Sequence, residues 1–245
     1  MKRWLLLAVA VLCFGVYALS QTADELVNKN IEARGGLDKI KAVKTLRITG
    51  RAERSGRPPV AVMIERERPN EMRQDTIRAG MTMVQAYDGK QGWMINPFQG
   101  RKDPQLMGED DLRDLQLEAD IDGPLVDYQA KGNTVEYMGH DTVDGDDALR
   151  LKVTLKNGDV LYYLLDPDTY LEIRREAQEF IRGSVKERVT EYGSYKAVNG
   201  VMYPFSLAVW PKTDPTLPVT VTIDKVEVNV PLEASQFAVP ASLQH

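Results

Sequence analysis

The change of hydrophobic period at Thr45 constrains this chain most. Before it, apolar residues recur every three or four positions, as on one side of an amphipathic helix. From Thr45 onward, apolar positions such as Leu46 and Ile48 alternate with polar ones. Alternation with a period of two is typical of a strand that buries one face. The sequence therefore predicts a short helical region followed by a long run of strands.

Alternating segments recur as far as Val228, and turn residues separate them. Short connections between strands favour antiparallel neighbours, so we expect a mainly β fold with some α (α+β), in which about 11 strands form one antiparallel sheet. The predicted strands are one that begins at Thr45 and then Val60–Arg66, Glu71–Arg78, Met81–Tyr87, Gly92–Asn96, Thr134–Met138, Ala148–Lys156, Asp159–Leu165, Leu171–Ile181, Val185–Tyr192, Tyr203–Val209 and Val219–Val228.

Three helices are expected beside these strands. The first begins with a capping-box pattern, Thr22 followed by Glu25, and ends at Gly35-Gly36. A second covers Leu37–Val43, and a third covers Gln105–Gln116 with several acidic residues near its start. Acids suit the N-terminus of a helix electrostatically, so we interpret them as complementing the helix dipole.

Two Asn-Gly pairs predict tight hairpins. A two-residue turn at Asn157-Gly158 would pair Val153 with Tyr162, and one at Asn199-Gly200 would pair Val198 with Val201.

The segment Val160–Leu165 is apolar on both of its faces. A strand of an antiparallel sheet with one wet face should instead alternate. Either a helix covers the second face or that face lines an apolar cavity.

The first twenty residues, Met1–Ser20, have the pattern of a cleavable export signal. Lys2 and Arg3 precede an apolar run, and small residues lead up to Gln21, where the mature chain should begin. The alternative is a membrane anchor, but the run is shorter than the roughly 20 residues of a spanning helix. We expect a periplasmic protein, or a secreted one if the source lacks an outer membrane.

Processing would remove Cys13, the only cysteine, and with it any disulfide, thiolate nucleophile or Cys-ligated metal. The net charge of −5 becomes two units more negative when Lys2 and Arg3 leave, which argues against nucleic acid as a partner. No linker interrupts residues 21–245, so one domain is expected.

Catalytic patterns are missing from the sequence. Its two histidines are His140, in a Gly-His-Asp loop, and His245, at the C-terminus, so either a histidine-based triad or a multi-histidine metal site is hard to build. The acidic segment Asp141–Asp147 does not match the calcium loop of an EF-hand, so it is interpreted as a solvated turn around Gly145, with weak calcium binding as the alternative. No catalytic residue, metal or cofactor is assigned.

Several turn and strand motifs give the chain a family resemblance over most of its length. It resembles the outer-membrane lipoprotein-sorting protein group, the LolA/LolB-like superfamily. The motifs are Leu46-Arg47-Ile48-Thr49-Gly50, Ala86-Tyr87-Asp88-Gly89 before Gly92-Trp93, Leu165-Asp166-Pro167-Asp168-Thr169-Tyr170-Leu171 and Val198-Asn199-Gly200-Val201-Met202-Tyr203-Pro204-Phe205.

The resemblance implies a strongly curved antiparallel sheet, an incomplete barrel, with helices and an apolar cavity on its concave side. The function it implies is that of a carrier for a lipid or a lipoprotein acyl chain. Such a carrier would be a monomer that touches membranes and envelope proteins transiently. The alternatives are a carboxylate-based envelope hydrolase that uses the acidic loop, and an envelope interaction module without a ligand.

The candidate residues for the cavity are apolar side chains, methionines among them because their flexible thioethers fit irregular ligands. Each of them could equally fill a core. They are Met81, Met83, Trp93, Ile95, Leu112, Leu115, Tyr162 and Leu164.

Overall fold

The computed structural model describes residues 22–244, so the expected export signal lies outside the described residues. Within this range there are three α-helices, α1 (Ala23–Ala33), α2 (Leu37–Ala42) and α3 (Glu109–Ala119). The strands are β1 (Thr45–Arg54), β2 (Val60–Glu67), β3 (Glu71–Arg78), β4 (Met81–Tyr87), β5 (Gly92–Asn96), β6 (Arg101–Leu106), β7 (Thr134–Val143), β8 (Asp146–Thr154), β9 (Val160–Leu165), β10 (Glu172–Ile181), β11 (Ser184–Gly193), β12 (Lys196–Val198), β13 (Val201–Tyr203), β14 (Ser206–Pro211) and β15 (Val219–Val228).

Thirteen of these strands form one antiparallel sheet in the order β6-β5-β4-β3-β2-β1-β15-β14-β11-β10-β9-β8-β7. The prediction of a single large antiparallel sheet is confirmed, with 13 strands in place of about 11. The edge strands β6 and β7 do not pair, so the sheet is open. The chain passes from one edge to the other through α3, which therefore lies across the sheet.

All three helices pack on the same face of the sheet, which we call the inner face. Leu26 and Val27 of α1 contact Leu161 and Tyr163 of β9. In the same way Ile40 of α2 packs with apolar residues of β1 and β15, and α3 packs on β3 and β4. The opposite face is called the outer face. Among residues 22–244, no helix is long and apolar enough to cross a membrane.

The predicted boundaries of α1 are confirmed. Thr22 and Glu25 form both hydrogen bonds of a capping box, at 3.2 and 3.0 Å. The helix ends before Gly35, whose φ of +118° is accessible to glycine. A Cβ atom there would lie 2.0 Å from the carbonyl oxygen of Gly200, so glycine lets the α1–α2 corner touch the β12–β13 hairpin.

The predicted start of α3 is wrong. We expected a helix from Gln105, but Arg101–Leu106 is extended because it pairs with β5, with Leu106 opposite Trp93. The helix begins at Glu109 and continues to Ala119, beyond the predicted end.

The predicted register of the Asn157-Gly158 hairpin is also wrong, by one residue. Val153 lies opposite Leu161, not Tyr162. The backbone N–H of Leu155 donates to the carbonyl of Asp159, so the loop has three residues and ends at Gly158 with φ +89°. Three-residue loops of this kind contain a bulge, which shifts the pairing. The second hairpin is confirmed, since Val198 pairs with Val201.

The packing around β9 explains why this strand is apolar on both faces. Its inner side chains, which include Leu161 and Tyr163, lie under α1. On the outer face Tyr162 and Leu164 form a small cluster with Val143, Ala148 and Ile173. In the described residues, neighbouring side chains of the sheet cover this part of the outer face.

The acidic segment forms the β7–β8 turn, as predicted. Asp144 and Gly145 both have positive φ, and the neighbouring Asp147 accepts a 3.0 Å hydrogen bond from His140. Asp141 is paired with Arg150. Both carboxylates therefore have side-chain partners at the surface. Within residues 22–244, no cluster of three or more His, Cys, Asp or Glu side chains is placed to hold a metal ion.

Candidate functional site

A cavity of about 610 Å³ lies between the inner face of the sheet and α3. Nine consecutive strands, from β4 through to β9 in the sheet order, contribute residues to its lining. Nine strands in a flat sheet would span about 38 Å at their usual spacing. One cavity can touch them all only because the sheet curves around it.

One wall of the cavity is apolar. It comes from β1, β2, β14 and β15, which lie next to one another in the sheet and present every second side chain inward. This wall is formed by Leu46, Ile48, Val60, Val62, Ile64, Leu207, Val209, Val219, Val221 and Ile223.

The other end of the cavity is polar and contains arginines. Arg66 of β2, Arg175 of β10 and Arg188 of β11 line it, together with Tyr163 and Tyr192. Burial raises the pKa of both tyrosines, so their hydroxyl groups stay neutral at physiological pH.

Glu118 of α3 is bound by two of these arginines. Nη2 of Arg66 donates to its Oε2 at 2.9 Å, and Nη2 of Arg175 donates to its Oε1 at 2.8 Å. Burial alone would raise the pKa of Glu118, but the charges of Arg175 and Arg66 lower it to about 2. Its side chain is 34% accessible because it borders the cavity. Glu118 is therefore ionised and faces the cavity.

The helix α3 presents two different sides to the curved sheet. Its apolar residues Leu112, Leu115 and Ala119 pack against Met72 and Tyr87 of β3 and β4.

The acidic side of α3 faces β10 and β11. Besides Glu118, Asp114 accepts from both Nη atoms of Arg188, and Asp111 pairs with Arg182 at 3.0 Å. The helix thus covers the cavity, held by apolar contacts on one side and by ion pairs on the other.

The two ends of α3 are held differently. Asp122, three residues beyond the helix, is buried and bonded to Arg68 and Lys41. Burial would raise the pKa of Asp122, but its hydrogen bonds to Arg68 and Lys41 lower it to about 2. At the other end, the Asp111–Arg182 pair of the first turn is exposed, and exposed pairs contribute little. The next turn is held better, because Arg113 donates to buried Asp159 at 2.8 Å. The first turn of α3 is therefore held less firmly than its C-terminal end.

Two carboxylates, Asp114 of α3 and Glu179 of β10, lie close together beside the cavity. Glu179 of β10 is almost fully buried, and its neighbours are Asp114, Asp159 and Arg188. Burial and the charge of Asp114 raise the pKa of Glu179 to about 7, although Arg188 opposes this. Glu179 therefore keeps its proton to a much higher pH than an ordinary glutamate does.

Four of the eight candidate residues lie on the inner side of the sheet, two in β4 and two in α3. Among these four, Leu115 lines the cavity. Leu112 belongs to the same helix as Leu115, and its side chain packs against Gly92. Met83 lies opposite Thr76, a lining residue, and Met81 is one step further along the same row. These two methionines extend the inner face beyond the cavity.

The other four lie on the outer face. Trp93 and Ile95 pack with the C-terminal segment through Val239, and Nε1 of Trp93 donates to the carbonyl of Phe237 at 3.0 Å. Tyr162 and Leu164 belong to the outer cluster of β9. The structure therefore does not bring the eight residues together at one site.

Sequence reasoning missed the arginines. One signal was present: in β2, Arg66 continues the alternating row of Val60, Val62 and Ile64, so it ends an apolar row on the inner face. A charge at that position is costly to bury without a partner, which makes it informative.

Solved structures with the same overall fold are known. The chain is similar to a LolA superfamily protein from Nitrosomonas europaea, with 10% identity and a TM-score of 0.61, covering 90% of this chain and 99% of that one. It is similar to a DUF1329 family protein from Desulfovibrio piger, with 12% identity and a TM-score of 0.61, over 89% and 98% of the two chains.

A domain from Vibrio parahaemolyticus, provisionally described as an outer membrane lipoprotein-sorting protein domain, matches with 11% identity and a TM-score of 0.59, over 88% of this chain and 95% of that one. No family model matches the sequence, and no curated protein matches it. At these identities the likeness shows the fold, which is LolA-like.

Proposed function

We propose that the protein binds a lipid or a lipoprotein acyl chain in the cavity and carries it through the periplasm. The observation that supports this most is the cavity itself, which joins a continuous apolar wall to a helical cover. Its volume of about 610 Å³ is within the range of roughly 300–1,000 Å³ that ligand pockets occupy.

The energetics of such a carrier need no ATP and no metal. Transfer of an acyl chain from water to an apolar wall gains about 0.8 kcal/mol per methylene, so a dozen methylenes gain about 10 kcal/mol. A membrane offers a similar gain, so exchange between membrane and protein is nearly balanced. The protein has to supply a dry cavity and a cover that moves.

The movable cover in this proposal is α3. Its C-terminal end is anchored by buried Asp122 and its middle by the pair of Arg113 with buried Asp159, whereas its first turn rests on the exposed Asp111–Arg182 pair. Opening would therefore begin at the N-terminal end and expose the apolar wall. Transient contacts with a membrane and with envelope proteins belong to the same proposal, as does a monomeric state.

The hydrolase alternative has less support. Two acids of the predicted acidic loop are engaged with Arg150 and His140 at the β7–β8 turn, and none of this segment lines the cavity. A carboxylate pair with unequal environments occurs at Asp114 and Glu179, but Asp114 is bonded by both Nη atoms of Arg188. The interaction-module alternative expects a filled interface between sheet and helix, and the cavity speaks against it.

A binding titration tests the proposal. Purified protein stripped of lipid should bind a fluorescent fatty acid with saturation at one site. Val62→Glu should weaken binding strongly, because it puts a carboxylate among apolar side chains beside the ligand. Ala61→Glu is the matched control, since this neighbour is exposed and lies outside the lining. Absence of saturable binding by folded protein would reject the carrier.

The periplasmic location rests on the leader and is tested separately. Exported material should begin at Gln21, which leaves the capping box of Thr22 and Glu25 intact. N-terminal sequencing decides between this start and a retained leader in the membrane fraction, which would indicate the anchor.

A further inference from the structure

We propose that the ligand carries an anionic headgroup, a carboxylate or a phosphate, which takes the place of Glu118 between Arg66 and Arg175. This inference rests on the proposed acyl-chain site and names the chemical class of its ligand as an acidic amphiphile.

The geometry of the two arginines supports this class of ligand. They bind different oxygens of one carboxylate, at 2.9 Å from Arg66 and 2.8 Å from Arg175. Their spacing therefore already fits a group that presents two neighbouring oxygens, as carboxylates and phosphates do. In the described part of the chain, Nε of Arg66 is also buried without a hydrogen-bond partner, which leaves a donor for a further oxygen.

The position of Arg66 connects the anion site to the apolar wall. Val60, Val62, Ile64 and Arg66 all line the cavity from one face of β2. Because a strand rises about 3.3 Å per residue, this row runs for about 20 Å and ends at the guanidinium. A chain lying along the row would bring its headgroup to Arg66.

When α3 opens, replacement of Glu118 by an anionic headgroup is favoured over loss of Glu118 with nothing in its place. The acid belongs to the cover, whereas both arginines belong to the sheet, so movement of α3 away from the sheet takes the counter-ion with it. An arginine left at the cavity without a counter-ion is strongly destabilising, and an anionic headgroup relieves that penalty where a neutral one does not.

Other acids at the polar end of the cavity are poor substitutes for Glu118 as the counter-ion of the two arginines. Asp114 is on the same helix and is engaged with Arg188. Glu172 is on the sheet, but burial raises its pKa and so opposes its ionisation. Glu118 therefore stands where the ligand's own charge would lie, and ligand entry and opening of α3 become one exchange.

The experiment compares a dansylated fatty acid with its methyl ester, which has the same chain but no charge. Wild-type protein should bind the acid at least about tenfold more tightly, the ratio expected of one charge-assisted hydrogen bond. Arg66→Gln and Arg175→Gln should abolish this preference while the ester still binds, which also reports that the variants fold. Glu118→Gln should tighten binding of the acid, because the internal competitor has lost its charge.

Two controls sharpen the result. Arg51→Gln removes an arginine from an exposed ion pair with Asp224 outside the cavity and should leave the preference unchanged. Arg175→Lys, which keeps the charge and loses the fork, should keep part of the preference.

The outcomes separate this inference from the proposed function. Equal affinity for acid and ester in wild-type protein would overturn the anionic headgroup and leave the acyl-chain carrier standing. Failure of both probes to bind would overturn both. Displacement of the probe by acetate as readily as by unlabelled fatty acid would show a simple anion site and overturn the amphiphile.

Discussion

Glu118 of α3 and Arg175 of β10 are joined by a 2.8 Å hydrogen bond across the polar end of the cavity. This bond ties the cover to the side of the sheet that its apolar residues do not touch. The helix is thus held by two kinds of force, and one of them depends on charge. Conditions that change the charge of Glu118 should change how firmly the cavity is closed.

The first prediction concerns acid pH. The pKa of Glu118 is lowered from 4.5 to about 2, so its stabilisation is fully present above pH 4.5 and is lost as pH falls toward 2. Wild-type protein should be more stable than Glu118→Gln at pH 7, and the difference should shrink across that window. Thermal unfolding at a series of pH values measures it. Glu136→Gln, at an exposed pair with Lys152, is the control and should show little difference.

The second prediction concerns the anchor of α3. Asp122→Asn removes the charge that Arg68 and Lys41 share, and the loss should cost about 3 to 5 kcal/mol of unfolding free energy because the aspartate is buried. Urea denaturation measures it. Asp127→Asn is the matched control: Asp127 also contacts Lys41, at 2.6 Å, but is half exposed and should cost less than about 1 kcal/mol. Equal costs would mean that Asp122 is not an anchor.

The third prediction concerns Glu179, whose pKa is raised from 4.5 to about 7. In the unfolded chain this acid ionises near pH 4.5, whereas in the folded chain it keeps its proton until about pH 7, so folding stability falls with rising pH between those values. Glu179→Gln removes this pH dependence, so its stability relative to wild type should rise by about 3 kcal/mol between pH 4.5 and pH 7. Glu187→Gln should not gain, because its hydrogen bond from Gln178 lowers the pKa of Glu187. A flat difference for Glu179→Gln would show that the proton lies elsewhere.

The features of the fold that were predictable are those with local signals. Alternation located most strands of the large sheet, and the Thr22 capping box and Gly35-Gly36 set the limits of α1. Asn199-Gly200 gave the correct pairing because its turn has two residues. Asn157-Gly158 failed because the same dipeptide can sit in a three-residue loop, and one extra residue moves every following side chain to the other face.

The cavity was less predictable because its parts come from distant segments. Glu118 meets Arg66 across 52 residues and Arg175 across 57, and no local pattern marks such a pair. The face of Trp93 depended on the C-terminal segment that covers it, which alternation alone does not reveal. Methionine and aromatic content therefore indicated apolar burial correctly without telling which side of the sheet was buried.

The last prediction separates the two faces of the sheet by using two leucines that the sequence alone ranked equally. Leu115 lines the cavity, whereas Leu164 is buried in the outer cluster of β9. Each change to alanine should destabilise the protein by about 2 to 5 kcal/mol, since both side chains are buried in packed clusters. Leu115→Ala should also change the affinity for a fluorescent fatty acid, and Leu164→Ala should leave it unchanged at a temperature where both variants are folded. Titration of the two variants beside their denaturation curves makes the comparison. A loss of affinity in Leu164→Ala equal to that in Leu115→Ala would place the ligand on the outer face, and the cavity beneath α3 would lose its role.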